Sequence, residues 1–385
     1  MKKINAFSLL ICLFLLSGCW DQKELNELVL INGIGIDQAE DGQVEVTVSI
    51  AVPKANSSAG GGEIAGGGGG AGGGTYMILT RHAKAPTITK AFDQLQTQIP
   101  RKIFLGHLRA IVFSEKVAEK GIKDHFDVFL RHRGPSTNTF VFISKGSAKE
   151  LLALQTELYS PVDIMVNIAR TDTLMKTTVL DVYQMLKKRD TAIPMIEKLP
   201  AEKGKKPNQT IPFLNHTAIF NKDKMIGSLD DYLTRGAMWV RNEIEEDRIM
   251  WKPENEDEPI VLNVLNANTK FVPEIKGDKW SIMIKGSASG VIISSESELN
   301  VKDKKTIDTL EKEFAKEIEK KMASTVKYVQ KDKKIRIFEF GEAFNRKYPK
   351  RWNKDKDRWE EIYPTVEVKY DMKVNIRSSG VGTVH

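Results

Sequence analysis

The chain has 385 residues, more than one hydrophobic core usually holds, so two or three domains are expected. Hydrophobic residues make up 41% and charged residues 28%, an ordinary globular balance. Beyond the first twenty residues no stretch approaches 18 apolar residues, which excludes a body threaded through a membrane by helices and leads to the expectation of a soluble, tethered one. The formal charge of +7, lowered by two if Lys2 and Lys3 are removed, biases the surface mildly toward anions and identifies no partner.

A basic start, Lys2-Lys3, precedes an apolar run over residues 6–16 that ends in Leu16-Ser17-Gly18-Cys19. Eleven residues are too few to cross about 30 Å of hydrocarbon, which takes about 20 in a helix, but they match the core of a secretory leader. Small residues directly before a cysteine are what a lipoprotein signal peptidase accepts. The segment resembles a bacterial lipobox, which implies that 1–18 is cleaved and that the Cys19 thiol receives diacylglycerol. The competing readings are an ordinary signal peptide with a chance cysteine and a short transmembrane anchor. Cys12 lies in the leader, so the mature chain would keep one acylated sulfur, with no disulfide, thiolate nucleophile or cysteine metal site.

After the anchor come Trp20-Asp21 and an apolar run, Val29-Leu30-Ile31-Asn32-Gly33-Ile34-Gly35-Ile36-Asp37. The run reads as a strand; Gly33 and Gly35 lack the third glycine and following helix of a phosphate loop. Val44, Val46, Val48, Ile50 and Val52 alternate with polar or small residues and predict a second strand. Residues 59–74 hold eleven glycines among sixteen residues, with almost nothing to bury, and predict a flexible loop. A phosphate cradle there would need a following Gly-Lys-Ser/Thr, which is absent.

A strand at 76–80 precedes a helix at 87–98 with Ile88, Ala91, Phe92, Leu95 and Ile99 on one face, ended by Pro100. Strands at 108–113 and 139–143 then alternate with helices at 115–120, 123–133, from Ser147 and within 161–188. His125 and His132 stand seven apart, whereas zinc pairs stand three to five apart, so both read as surface or packing residues. No catalytic grouping emerges, and the chain is expected not to be an enzyme and to carry no cofactor or metal.

Residues 201–209 form a Lys-rich linker, followed by a hairpin over 217–227 and a short helix from Asp230 toward Trp239. The acidic stretch 254–258 lacks the calcium-loop pattern and reads as a solvated turn. Strands are expected at 260–265, 269–272, 280–285 and 290–294. A long helix over 303–329 carries Ile307, Leu310, Phe314, Ile318, Met322, Val326 and Val329 as one core-facing stripe. Near the end stand Gly341, Arg346, Tyr348-Pro349, Trp352, Trp359, Tyr363-Pro364, an alternating strand over 366–376, and Gly380. The seven-residue spacing puts Trp352 and Trp359 on one helix face, and both are assigned to a core. Seven basic and two acidic residues lie among these aromatics over 346–358, a mixture that single-stranded nucleic acid would also suit. An exported lipoprotein meets little nucleic acid, and no nucleic-acid partner is expected.

The Gly18-Cys19-Trp20-Asp21 start with Gly35-Ile36-Asp37, the run Gly106-His107-Leu108-Arg109-Ala110-Ile111-Val112, and the closing order of Gly, Pro, two Trp, Pro, strand and Gly resemble the Ger(x)C lipoproteins. These are the C subunits of spore nutrient germinant receptors. The resemblance implies a lipid-anchored protein on the outer face of the inner spore membrane, beside integral membrane A and B subunits. Its role there would be protein–protein interaction that triggers germination. The fold expected is mixed α+β: a leader (1–18), an N-terminal α/β-type domain (19–198), a small middle domain (199–250), and a C-terminal sheet packed with a long helix (251–385). A solute-binding lipoprotein of an importer is the alternative, and a tethered cell-wall hydrolase a third reading without a recognisable acid pair.

Overall fold

A computed structural model describes residues 27–53, 76–131, 134–157, 159–171, 174–188, 190–254, 258–294 and 303–377. The apolar run after residue 27 forms β1 (Leu28–Gln38), which pairs antiparallel with β2 (Val44–Pro53); β3 (Tyr76–Ala85) pairs antiparallel with β2 in turn. The start of β1 also lies parallel to the short β4 (Lys102–Phe104), and its later half to β5 (Ala110–Ser114). Then come β6 (Phe140–Ser144), β7 (Asp190–Lys198), β8 (Pro212–Asn221) and β9 (Lys224–Leu229). The sheet order is β3-β2-β1-β5-β6-β7-β8-β9, with β4 off this path. The buried central strands read as near-continuous apolar runs, as expected where both faces are covered: all five residues of β5 are buried.

Helices cover both faces. On one side lie α1 (Ile88–Gln98), α2 (Glu115–Lys120), α3 (Lys123–Arg131) and α6 (Val179–Lys188), whose Leu95, Val117, Phe126 and Val182 share a core with Ile34, Val46 and Val48. On the other side α4 (Ala148–Leu152) and α5 (Pro161–Ala169) bring Leu151, Leu152, Val162 and Met165 against Ala110, Val112 and Phe142. The caps are local. Thr87 accepts from the Lys90 N–H at 3.3 Å, Ser160 accepts from the Asp163 N–H at 3.0 Å, and Pro161 occupies the first turn of α5.

β7 has no counterpart in the sequence reading, because Pro194 interrupts its pattern. Only Met195 and Ile196 of β7 pair with β6, so Pro194 sits where the ladder on that side is open. β7 then pairs along its whole length with β8, across the linker. The stretch 199–250, read from sequence as a small middle domain, thus supplies β8 and β9 to the first sheet. Its helix α7 (Asp231–Arg241) lies in the second core, next to β9 in sequence.

That second core is built on a four-stranded sheet, β10 (Asp247–Trp251), β11 (Ile260–Lys276), β12 (Lys279–Ser294) and β13 (Glu367–Ile376), in that order. The four short strands expected between 260 and 294 are two long ones. Their polar gaps face each other, Asn266 on Ser289 and Asn268 on Ser287, and a backbone ladder needs no apolar side chains to continue. The long helix α8 (Lys304–Val326) runs on into a π-helical turn (Lys327–Asp332). Its stripe faces the core as expected: Leu310, Phe314, Ile318, Met322, Val326 and Val329 are all buried, each contributing about 1.5–3 kcal/mol.

The helix expected around the two tryptophans is broken into α10 (Pro349–Asp355) and α11 (Trp359–Ile362) by a 3-10 turn, after α9 (Phe340–Lys347). Trp359 is buried, in contact with Trp280, Phe344 and Tyr363; Trp352 is only partly buried and stacks edge-on to Trp359 at 5.0 Å. The core assignment therefore holds for Trp359, whereas Trp352 forms the core's rim. Gly341 makes room for both rings: a Cβ there would lie 2.6 Å from Trp352 Cη2 and 3.2 Å from Trp359 Nε1.

Candidate functional site

Cys19 lies outside the described residues, as do the glycine-rich stretch 59–74 and His132. His125 is partly buried, and burial pushes its imidazole below the ordinary histidine range, against the opposing charge of Asp124. Among the described residues no three His, Cys, Asp or Glu side chains are grouped to hold a metal, and no helix is long and apolar enough to cross a membrane.

The Gly33-Ile34-Gly35-Ile36-Asp37 stretch serves packing. A Cβ on Gly33 would stand 2.5 Å from Val162 Cγ2, and one on Gly35 would stand 3.0 Å from Leu152 Cδ1 and 3.1 Å from Ala148 Cβ. The two glycines therefore let α4 and α5 lie directly on β1 and leave no cradle for a phosphate. Asp37 completes the arrangement. Its carboxylate accepts from the Ala148 N–H at 2.9 Å and the Lys149 N–H at 2.8 Å, satisfying two orphan donors at the start of α4. Burial pushes the Asp37 carboxyl up, with the two backbone hydrogen bonds pulling the other way. Lys149 turns back to Glu45 of β2 at 2.7 Å.

Two open cavities stand out among the described residues, and neither was visible in the sequence. The first, about 580 Å³, lies between the α4–α5 connection and the loop joining β7 to β8. The Lys-rich linker is ordered there: Leu199 donates to the Ile211 carbonyl at 3.0 Å, and Gln155 donates to the Asn208 carbonyl at 2.8 Å. Tyr159, Leu199 and Ile211 are 54%, 36% and 42% exposed, an unusual grouping of apolar surface in one groove. At its rim Lys205 bonds Glu157 at 2.8 Å and Glu202 at 3.1 Å, which holds Glu157 below and Lys205 above their ordinary ranges. The second cavity, about 530 Å³, lies between the β8–β9 turn and the segment after the π-helical turn, and is lined largely by charged residues.

Comparison with known proteins covers both halves of the chain. Residues 21–198 match the family described as "Spore germination protein N-terminal domain", and residues 215–380 match "Spore germination B3/ GerAC like, C-terminal". Spore germination protein KC of Bacillus subtilis (strain 168) is 28% identical over 99% of this chain and 96% of its own length. Spore germination protein B3 of the same organism is 22% identical over 99% of both chains. Among solved structures, the crystal structure of the GerBC protein superposes with a TM-score of 0.59 over 90% of this chain and 97% of that one, at 18% identity, and so shares the fold. With both family halves matched in order and that architecture in place, the chain is a member of the Ger(x)C family of spore germination proteins.

Proposed function

We propose that the protein is the lipid-anchored C subunit of a spore nutrient germinant receptor, held at the inner spore membrane by Cys19 and acting through contacts with the membrane-embedded A and B subunits. The observation that carries this reading is the match of both family halves, from residue 21 to residue 380. The anchor fits the fold. Eight residues lie between Cys19 and Leu28, a reach of at most about 30 Å, so the β1–β4 end of the first sheet stays close to the headgroups. Exposed Arg101, Lys102 and Phe104 stand at that end, basic and aromatic residues suited to an anionic interface. The groove of Tyr159, Leu199 and Ile211 offers apolar surface for a protein partner. The two sheets differ in strand number and topology, which favours this reading over a solute-binding lipoprotein with two similar lobes around a cleft.

Two acyl chains give stable attachment where one binds only marginally. Cys19→Ala in the full chain should give a folded protein that is lost from the spore membrane fraction, takes up no lipid label and no longer co-purifies with membrane subunits. Unchanged membrane retention together with unchanged labelling would refute the anchor.

A further inference from the structure

The second cavity collects charge from two distant parts of the chain. Lys222 and Lys224 come from the β8–β9 turn, Lys334 and Arg336 from the segment after the π-helical turn, against two carboxylates, Asp223 and Glu360. Arg336 bonds Glu360 at 3.4 Å, and Asp223 lies over Gly121, where a Cβ would meet its Oδ2 at 2.6 Å. Cations are therefore in excess, and one of the two anions is turned toward the end of α2.

The backbone provides an independent observation. Three non-glycine residues among the described ones have left-handed φ, and two of them are Lys222 (58°) and Lys334 (55°), both on this cavity. The third, Asn242, is an ordinary helix C-cap. Lys222 is the first central residue of a two-residue hairpin turn, a position that favours Gly or Asn. Lys334 follows the π-helical turn, where Lys333 donates to the Tyr328 carbonyl and Ile335 to the Val329 carbonyl, both at 2.9 Å; this closure ordinarily uses Gly. Neither segment is loose, since Ile122 donates to the Asp223 carbonyl at 2.9 Å and Ile335 is buried. Two lysines are thus held in disfavoured backbone, on separate rigid supports, around one cavity. Strain of this kind gathers at ligand clamps and active sites.

We propose that this cavity is a binding site for a phosphate-class anion. Ammonium and guanidinium groups on fixed backbone recognise phosphate oxygens by charge-assisted hydrogen bonds, and the planar fork of Arg336 suits a tetrahedral oxyanion. The anion could be a free phosphate compound or a lipid headgroup. The Lys222 turn adjoins the start of β7, which runs parallel to β6, β5 and β1, so the cavity stands at the end of the sheet where β1 begins.

The test is lysine acylation of the full chain in detergent, read residue by residue by mass spectrometry, with exposed Lys279 on the far hairpin as reference. Inorganic phosphate, against chloride at equal ionic strength, should slow labelling of Lys222, Lys224 and Lys334 several-fold and raise the melting midpoint. In a second arm the chain is reconstituted into phosphatidylglycerol or phosphatidylcholine vesicles. Protection by phosphate supports a site open to free anions, and protection by phosphatidylglycerol alone assigns it to a lipid headgroup. The double variant Lys222→Gly/Lys334→Gly relieves both left-handed positions, so its midpoint in chloride should match or exceed the wild type while the phosphate-dependent rise disappears. Labelling unchanged in both arms, or a double variant that keeps the full phosphate-dependent rise, would overturn the site.

Discussion

Gly236 lies where α7 crosses α8, and Gly236→Ala sets two effects of opposite sign against each other. Inside a helix, alanine is favoured over glycine by about 0.5–1 kcal/mol. Here the added Cβ would stand 2.1 Å from Thr325 Oγ1, 2.7 Å from the Lys321 carbonyl oxygen and 3.0 Å from Thr325 Cβ. A side chain can rotate away, but the Lys321 carbonyl belongs to the α8 backbone and moves only if the helices part. Overpacking of that kind costs about 1–3 kcal/mol. The Thr325 hydroxyl, which donates toward the Leu233 carbonyl at 3.1 Å and the Lys321 carbonyl at 3.0 Å, would also be displaced, at about 1 kcal/mol. The clash wins, and the variant should lose about 1–3 kcal/mol net. Urea midpoints of the purified full chain measure this. Adding Thr325→Ala should recover part of the loss, because it removes the shortest contact and leaves the one to Lys321. A Gly236→Ala chain as stable as wild type would refute the close crossing. The site matters beyond stability, because α7 also bonds back to the first sheet through Thr234 Oγ1 and Thr217 Oγ1 at 3.1 Å, so this crossing joins the two sheets.

Trp359→Ala should cost about 3–5 kcal/mol, as truncation of a buried ring does, and Trp352→Ala clearly less, since that ring is partly exposed; equal urea midpoints for the two would refute the core-and-rim assignment. Asp247 is buried and takes the Trp239 Nε1–H at 2.8 Å and the Lys321 ammonium at 3.3 Å, with Arg235 at 3.6 Å. Asp247→Asn should cost about 3 kcal/mol by taking the counter-charge from the mostly buried Lys321, while Arg235 keeps Asp231 at 3.7 Å, and an unfolding midpoint equal to wild type would contradict this. Burial depresses His125, so the folded protein keeps it neutral where the unfolded chain takes a proton. That contribution is fully present above the ordinary value of 6.5 and is lost as pH falls from there through the depressed folded value. The wild type should therefore lose stability relative to His125→Gln as pH drops below that point, and parallel pH profiles would refute it.

The sequence was most legible where structure is locally determined. Helix Ile88–Gln98 carries its cap in Thr87 and its buried face in Ile88, Ala91 and Leu95, so the reading of 87–98 differs by one residue. Glu115–Lys120 and the stripe of the long helix follow from the same 3.6-residue period. Features that depend on distant partners were not legible. Asp37 meets α4 across more than a hundred residues, and nothing near it in the chain announces a cap. Lys222 and Lys334 reach one cavity from opposite sides of the long helix in sequence. The split of β11 and β12 into four came from reading Asn266 to Asn268 and Gly286 to Ser289 as breaks, when each gap is supported by the other. Gly286 and Gly290 mark close approach there: a Cβ would stand 2.4 Å from Met372 Sδ at one and 2.2 Å from the Asn263 carbonyl oxygen at the other.

How the second sheet ends bears on how a partner could engage it. A free strand edge invites pairing with another chain, and besides the outer side of β10 such edges run along β13 and along the part of β11 beyond β10. On β13 the Met372 N–H donates to Glu319 Oε1 and the Ile376 N–H to Glu311 Oε1, both at 2.9 Å, so two carboxylates of the long helix occupy the edge. β10 pairs only with the first part of β11. Beyond it the Thr269 N–H donates to Asn242 Oδ1 at 2.6 Å, and the Pro273 carbonyl accepts from Lys347 at 2.8 Å. A strand added at either edge would have to displace these bonds, and at β13 it would leave two glutamates against the incoming backbone carbonyls. Strand addition is therefore disfavoured at β13 and along β11 beyond β10. A protein partner would be better served by side-chain surface, and the groove of Tyr159, Leu199 and Ile211 beside the first sheet supplies apolar area of that kind.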